Sequence, residues 1–149
     1  MEILQKKSFW QRSMVKRVFL DTNIIIDILG MRSNYASAAT VLQMGVRKQI
    51  DLYITNITVA NAMYVLRKDI GKTRTLELIK KLCNIVHVAP SGENELFRSF
   101  EIESPDFEDI LQYSSAITVG AEVLLTRNDK HFRFSNIAVM DCETFINSL

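Results

Sequence analysis

The chain alternates short apolar runs with longer segments in which apolar residues recur at helical spacing. Five of these runs are too short for a buried helix and predict strands, at residues 18–20, 52–54, 85–88, 123–125 and 137–139. Between them, apolar residues recur every three or four positions, which predicts amphipathic helices. Strands that alternate with helices favour a parallel sheet covered on both faces. The pattern therefore predicts an α/β fold, a three-layer α/β/α sandwich with a central, mostly parallel sheet.

The helical pattern also predicts where individual helices begin and end. It is clearest in four segments, at residues 24–29, 35–46, 59–70 and 76–83. Gly71 is expected to end the third of these, because glycine is common just beyond a helix C-terminus. Ser104 followed by Pro105 is typical of an N-cap and a first helical residue, so another helix is expected there, running through Ser114. A short C-terminal helix is expected around Phe145.

A length of 149 residues suits one domain with a sizeable core. We expect residues 14–149 to form that domain and residues 1–13 to be an N-terminal extension, with Met14 as an alternative natural start. Cys83 and Cys142 are too few for a disulfide framework or a zinc set, so a reducing, cytoplasmic location is expected. No apolar run reaches the ~18 residues of a membrane span, so no membrane partner is expected.

Charge is almost balanced overall, at +1, but it is unevenly distributed. Residues 1–33 carry six Lys and Arg against three acids, whereas residues 93–109 carry seven acids against Arg98 alone. The small net charge argues mildly against strong non-specific binding of nucleic acid. A local excess of carboxylates is either solvated or holds a cation, because like charges repel each other.

Polar clusters follow two of the predicted strands directly. Asp21, Thr22 and Asn23 come after the first strand, and residues 126–129 come after the fourth. The carboxyl ends of parallel strands meet at one edge of a sheet, and ligands of open α/β folds bind at that edge. Both clusters are therefore expected on the same edge.

A third polar cluster lies on the helix expected after Ser104. Asp106 and Asp109 are spaced i, i+3 and share one helix face. Carboxylates that converge from separate elements raise each other's pKa unless a cation is present. Mg²⁺ or Mn²⁺ is the simplest cation for such a site, because both prefer oxygen ligands.

Three sequence blocks contain these side chains: residues 18–27 (VFLDTNIIID), 105–116 (PDFEDILQYSSA) and 124–132 (LLTRNDKHF). In their order and separation they resemble the PIN-domain family and, within it, the VapC-type toxins, over roughly residues 15–147. The resemblance implies a PIN-like α/β/α sandwich, a Mg²⁺ or Mn²⁺ site built from three or four acids, and hydrolysis of RNA phosphodiesters. It also implies a small antitoxin protein as a partner and a homodimer.

Carried over residue by residue, the resemblance makes Asp21 the first acid of the site. It makes Asp109 the acid at the start of the long helix. Asp21 and Asp109 are both expected to be catalytic and to bind the metal. At two further acidic positions of the family this chain has Asn61 and His131. An amide oxygen brings no charge, and an imidazole is a poorer ligand for a hard cation.

Other polar residues are expected to support this site. Asp106 and Asp129 are expected to serve as further metal ligands. Residues expected to orient the ligands or to replace a missing one are Thr22, Asn23, Asp27, Asn61 and Asn128. Residues expected to contact RNA phosphates are Arg127, Lys130 and His131, and a solvated loop is the alternative for all three. A solvated helix face is the alternative for Asp27, and Glu108 is expected on a solvated face.

Two functions are compatible with these residues. The first is a metal-dependent endoribonuclease of the PIN/VapC toxin type. The alternative is a catalytically weak or inactive PIN-like domain that binds RNA or a protein, and Asn61 and His131 are its support.

Overall fold

The computed structural model describes residues 15–149, which fold around a five-stranded sheet. The strands are β1 (Lys16–Leu20), β2 (Ile50–Ile54), β3 (His87–Val88), β4 (Val123–Leu125) and β5 (Ala138–Met140). The helices of this region are α1 (Thr22–Leu29), α2 (Tyr35–Val46), α3 (Asn56–Ile70), α4 (Lys72–Cys83), α5 (Glu93–Ser99), α6 (Phe107–Thr118) and α7 (Cys142–Asn147), with a 3₁₀ helix at Asp129–Phe132. Gly71, whose φ is 85°, follows α3 as predicted. The predicted extension at 1–13 and the alternative start at Met14 lie outside the described residues.

The strands run parallel in the order β3-β2-β1-β4-β5, so that β1 lies at the centre. Val18 of β1 is in register with Leu52 of β2 on one side and Val123 of β4 on the other. The strand β3, at one edge, is shorter than the predicted segment 85–88. The predicted three-layer α/β/α sandwich is confirmed, and its sheet is parallel at every described strand pair.

Successive residues of β1 point to opposite faces of the sheet and divide the core in two. Val18 and Leu20 pack against α1, α2, α3, α4 and α7. Phe19 packs on the other face, with Tyr113 of α6 and Phe132 of the 3₁₀ helix. The apolar runs of β1 and β4 are thus interior strands, covered by helices on both faces. None of the helices between residues 15 and 149 is long and apolar enough to cross a membrane.

The helix α6 begins later than the sequence pattern predicted. Its first residue is Phe107, and its N-cap is Asp106 rather than Ser104. The Asp106 side chain accepts a hydrogen bond from the backbone N–H of Asp109 at 3.3 Å. A carboxylate at this position satisfies a free amide of the first helical turn and suits the positive end of the helix dipole. Pro105 therefore precedes the helix instead of starting it.

Three strands deliver polar residues to one edge of the sheet. Asp21 follows β1, Thr126 follows β4 and Asp141 follows β5. Backbone hydrogen bonds continue the sheet by one residue, since the N–H of Asp21 donates to the Leu125 oxygen at 3.0 Å and the N–H of Thr126 to the Met140 oxygen at 3.0 Å. The candidate site lies at this edge.

Candidate metal centre

Asp21 is buried at the end of β1. It occupies the N-cap position of α1, yet its side chain makes no capping hydrogen bond. Its carboxylate instead accepts hydrogen bonds from Gln112 Nε2 at 3.0 Å and from Thr126 Oγ1 at 2.8 Å. Burial raises the pKa of Asp21, while these two donors oppose the rise by stabilising the charged form. The carboxylate is therefore oriented by tertiary contacts and not by local helix capping.

Gln112 links Asp21 to α6, and the sequence analysis did not identify it. It is buried one helical turn after Asp109, on the same face. Its Oε1 accepts the backbone N–H of Thr22 at 3.2 Å, while its Nε2 donates to Asp21. The i, i+3 spacing from Asp109 was the available signal, but spacing alone does not separate this glutamine from a surface amide.

Asp106, Asp109 and His131 are brought together by the fold. Their ligand atoms all lie within 4.8 Å of one another, and no other set of three or more His, Cys, Asp or Glu does so within residues 15–149. Asp109 Oδ2 is 3.1 Å from His131 Nδ1. Burial raises the pKa of Asp109 to about 7, the negative charges of Asp21 and Asp106 contribute to the rise, and His131 opposes it. Asp21 lies outside the 4.8 Å group but close enough for its charge to act on Asp109.

Asn61 is half-buried on α3 and contacts an acid from α6. Its side-chain amide donates a hydrogen bond to Glu108 Oε1. Burial raises the pKa of Glu108, and the charges of Asp106 and Asp21 raise it further. Glu108 is exposed, as expected, and it lies close enough to Asp21 and Asp106 for their charges to act on it. We refer to Asp21, Asp106, Glu108 and Asp109 as the acidic cluster.

A chain of hydroxyl groups connects the first turns of α1 and α3. Thr22 Oγ1 and Thr58 Oγ1 are 3.1 Å apart, and Thr58 Oγ1 is 3.3 Å from Thr55 Oγ1. Thr55 also caps α3 by accepting the backbone N–H of Thr58 at 3.2 Å. Thr22 therefore helps to hold the turn that carries Asp21. Asn23, beside it, is half-buried and makes no side-chain hydrogen bond to the described residues.

Asp27 is buried on α1, with 1% of its surface exposed. Arg127 Nε lies 2.7 Å from its Oδ2, an ion pair whose N–H is not directed along a hydrogen bond. Burial raises the pKa of Asp27, and the charges of Arg127 and Arg32 oppose the rise. The alternative of a solvated helix face for Asp27 is wrong, because Arg127 folds over it. One nitrogen of Arg127, which was predicted to contact RNA, is therefore paired with Asp27 within the protein.

The remaining predicted residues follow β4. The backbone N–H of Asn128 donates to Thr126 Oγ1 at 3.0 Å, and its side chain is half-buried. Asp129 and Lys130 are exposed on the 3₁₀ helix. A 3₁₀ helix has three residues per turn, so Asp129 and His131 point in different directions. The fold therefore brings His131 to the acidic cluster and does not bring Asp129 into the 4.8 Å group.

The chemistry of the acidic cluster fits a divalent cation. Burial and neighbouring negative charges raise the pKa of Asp21, Glu108 and Asp109. Within residues 15–149 no Lys or Arg forms an ion pair with any member of the cluster. A hard cation such as Mg²⁺ or Mn²⁺ prefers carboxylate oxygens and would offset this repulsion. Asp106, Asp109 and His131 would hold such an ion, with Asp21 beside them.

Comparison with known proteins identifies the family. A model of the PIN domain matches residues 17–130. This chain belongs to the PIN-domain family. It is 32% identical to Ribonuclease VapC1 of Aquifex aeolicus (strain VF5) over 136 residues, which cover 87% of this chain and 93% of that protein. The family that the three sequence blocks resembled is thus confirmed, and the match to the PIN domain includes every member of the acidic cluster.

Solved structures show the same PIN fold at low sequence identity. The chain superposes on VapBC2 from Rickettsia felis, bound to a DNA fragment from their promoter, with a TM-score of 0.67, 20% identity, and coverage of 84% of this chain and 98% of that one. It also superposes on VapC20 of Mycobacterium tuberculosis, a toxin that cleaves the sarcin-ricin loop, with a TM-score of 0.57, 12% identity, and coverage of 72% and 86%. At these identities the likeness concerns the fold alone.

Proposed function

We propose that this PIN domain is a Mg²⁺- or Mn²⁺-dependent endoribonuclease of the VapC toxin type. The observation that carries the proposal is the acidic cluster, in which Asp109 is held beside Asp21 and Asp106 without a Lys or Arg partner among the described residues. A fold that maintains this repulsion is suited to a cation. Similarity to a ribonuclease over most of the chain supports RNA as the substrate.

Within this proposal, Asp21 and Asp109 are the catalytic, metal-binding carboxylates, and Asp106 and His131 complete the ligand set. A bound divalent cation supplies activation of water and stabilisation of negative charge on the phosphodiester. Gln112 keeps the Asp21 carboxylate directed toward the site through its 3.0 Å hydrogen bond. Asp129 is omitted from the proposed ligands, because its exposed side chain lies outside the 4.8 Å group.

A domain that binds RNA or protein without cleavage is the second candidate. Asn61 and His131 favour it, because each replaces a charge that the family's site usually has. The contact between Asn61 and Glu108 favours the enzyme instead, since Glu108 places a carboxylate next to the uncharged amide.

We extend the proposal to partners and location. Exposed Lys130 and His131 would contact RNA phosphates near the acidic cluster, and the remaining nitrogens of Arg127 would contact another part of the RNA. The proposal includes a small antitoxin protein as partner, a homodimer and a cytoplasmic location, and the likeness to VapBC complexes supports the antitoxin. Exposed apolar side chains on and between α5 and α6, among them Phe97 and Phe100, offer a surface for protein contact.

Cleavage of single-stranded RNA tests the enzyme directly. The purified protein should cleave RNA with Mn²⁺ and leave it intact with EDTA. Asp109→Asn should lower the rate by about 100-fold or more, because it removes the carboxylate most affected by its neighbours. Glu122→Gln is the matched control, since Glu122 is an exposed acid before β4, at the opposite end of that strand from the site.

Two outcomes would contradict the nuclease. One is cleavage by Asp109→Asn at the wild-type rate, and the other is cleavage that persists in EDTA. Retained RNA binding without cleavage, together with no heat of Mn²⁺ binding in calorimetry, would instead favour the second candidate.

A further inference from the structure

A cavity of about 330 Å³ lies beside the acidic cluster, between α1, α2, α7 and the loop after β4. Its polar lining consists of Asn34, Ser37, Arg127, Asn128, Asp141 and Glu143. Ile24 and Ala38 supply an apolar wall. No member of the acidic cluster lines this cavity, so it is a separate feature of the same sheet edge.

Two short connections join the cavity to Asp21. The backbone N–H of Ile24 donates to the backbone oxygen of Asp21 at 3.0 Å. The backbone N–H of Asn128 donates to Thr126 Oγ1, the same hydroxyl that donates to the Asp21 carboxylate. A group bound in the cavity would therefore be a near neighbour of a group bound at the acidic cluster.

Hydrogen-bond donors enter the cavity from the loop after β4. Asp27 forms an ion pair with Arg127 Nε at 2.7 Å and thereby holds the guanidinium next to α1. The terminal nitrogens of Arg127 and the side-chain amide of Asn128 make no hydrogen bond to any residue from 15 to 149. They remain available to a ligand that has acceptor atoms.

Acceptors enter the cavity from the start of α7. Asp141 Oδ1 accepts a hydrogen bond from the backbone N–H of Thr144 at 2.7 Å. The second oxygen of that carboxylate is left to accept a hydrogen bond from a ligand. Glu143 makes no side-chain hydrogen bond within the described range. Two carboxylates disfavour a phosphate group in this cavity, because like charges repel. They favour a neutral group that carries N–H donors.

We propose that this cavity binds one base of an RNA substrate, with a preference for guanine, and this inference rests on the nuclease proposed above. Guanine presents N7 and O6 acceptors, which suit an arginine. Its N1–H and N2 amino groups are adjacent donors, and no other RNA base offers such a pair to one carboxylate. The cavity lies at the small end of the range for ligand sites, which suits a single nucleoside. Proteins read RNA sequence mainly from unpaired bases that can enter such pockets.

Binding of free nucleotides tests the cavity without requiring cleavage. Guanosine 5′-monophosphate is titrated into the full chain in EDTA, and backbone amide chemical shifts are followed by NMR. Shifts are expected at 127–128 and 141–143, with binding about tenfold tighter than for the adenosine, cytidine and uridine monophosphates. Glu143→Gln should weaken guanosine monophosphate binding about tenfold. Glu122→Gln, with the same change of charge at an exposed acid outside the cavity, should bind like the wild type.

The outcomes separate this inference from the nuclease itself. Equal affinity for all four monophosphates, or shifts that avoid the cavity lining, would overturn the guanine site. A guanine preference in a protein that never cleaves RNA would support the cavity and contradict the nuclease. Mn²⁺-dependent cleavage at all four nucleotides with equal rates would support the nuclease and contradict the cavity.

Discussion

Asp27 and Asp21 lie at opposite ends of α1 and are both buried, but they meet different partners. Asp27 faces a cation, Arg127, whose Nε is 2.7 Å away. Asp21 faces neutral donors, Gln112 and Thr126, and the other acids of the cluster. Burial raises the pKa of both carboxyl groups. Nearby arginines oppose the rise at Asp27, whereas the charge of Asp106 adds to it at Asp21.

The difference separates a carboxylate that has an arginine partner from carboxylates that have none among the described residues. A buried carboxylate that has its own arginine has a countercharge within the protein and does not require a cation from solution. Carboxylates that face one another without a Lys or Arg are destabilised until a cation arrives, and strained charge of this kind occurs at functional sites.

The largest effect is expected from loss of the Asp27 partner. Arg127→Ala should lower the free energy of unfolding by about 3 kcal/mol at pH 7, because it leaves Asp27 charged, buried and unpaired. Urea denaturation measures the change. The double variant Asp27→Leu with Arg127→Ala should recover to within about 1 kcal/mol of the wild type, since an apolar replacement for a buried pair is often neutral. A single variant as stable as the wild type would mean that Asp27 does not depend on its arginine.

Removal of a charge from the acidic cluster should raise the free energy of unfolding instead of lowering it. The folded-state pKa of Asp109, about 7, exceeds its ordinary value of 3.8, so the native state holds a proton that the unfolded state has lost. As the pH rises from 3.8 to about 7, Asp109 therefore lowers the free energy of unfolding. Asp109→Asn removes that cost and should raise the free energy of unfolding by about 1 kcal/mol at pH 8 in EDTA.

The pH dependence is the control for this second prediction. The gain from Asp109→Asn should shrink as pH falls and disappear near the ordinary pKa of 3.8, where both states are protonated. Glu122→Gln should leave stability nearly unchanged at both pH values. A gain that is constant with pH would show that the carboxylate charge is not its cause.

The smallest effect is expected at Asn61. Asn61→Asp replaces an amide that donates to Glu108 with a second carboxylate. In EDTA it should lower the free energy of unfolding by about 0.5 kcal/mol, because the new contact is between like charges. Saturating Mn²⁺ should reverse the sign, since the added acid also strengthens cation binding. Destabilisation that Mn²⁺ does not relieve would place residue 61 outside the metal centre.

The order of apolar and polar residues was enough to predict the architecture and the placement of three acids. Short apolar runs between helical segments predicted the parallel sheet, and the polar residue after an apolar strand predicted Asp21 at its edge. The helical spacing of Asp106 and Asp109 predicted that they share a face. These features depend on neighbours along the chain, which the local pattern records directly.

Only the tertiary structure decided which side chains meet. Gln112 reaches Asp21 across 91 positions of the chain, and Thr126 reaches it across 105. The turn of the 3₁₀ helix brings His131 rather than Asp129 to Asp109. The packing of Arg127 over Asp27 excludes the solvated helix face that the sequence had left open. Such contacts depend on how separate elements stack, and hydrophobic periodicity along one element carries no information about them.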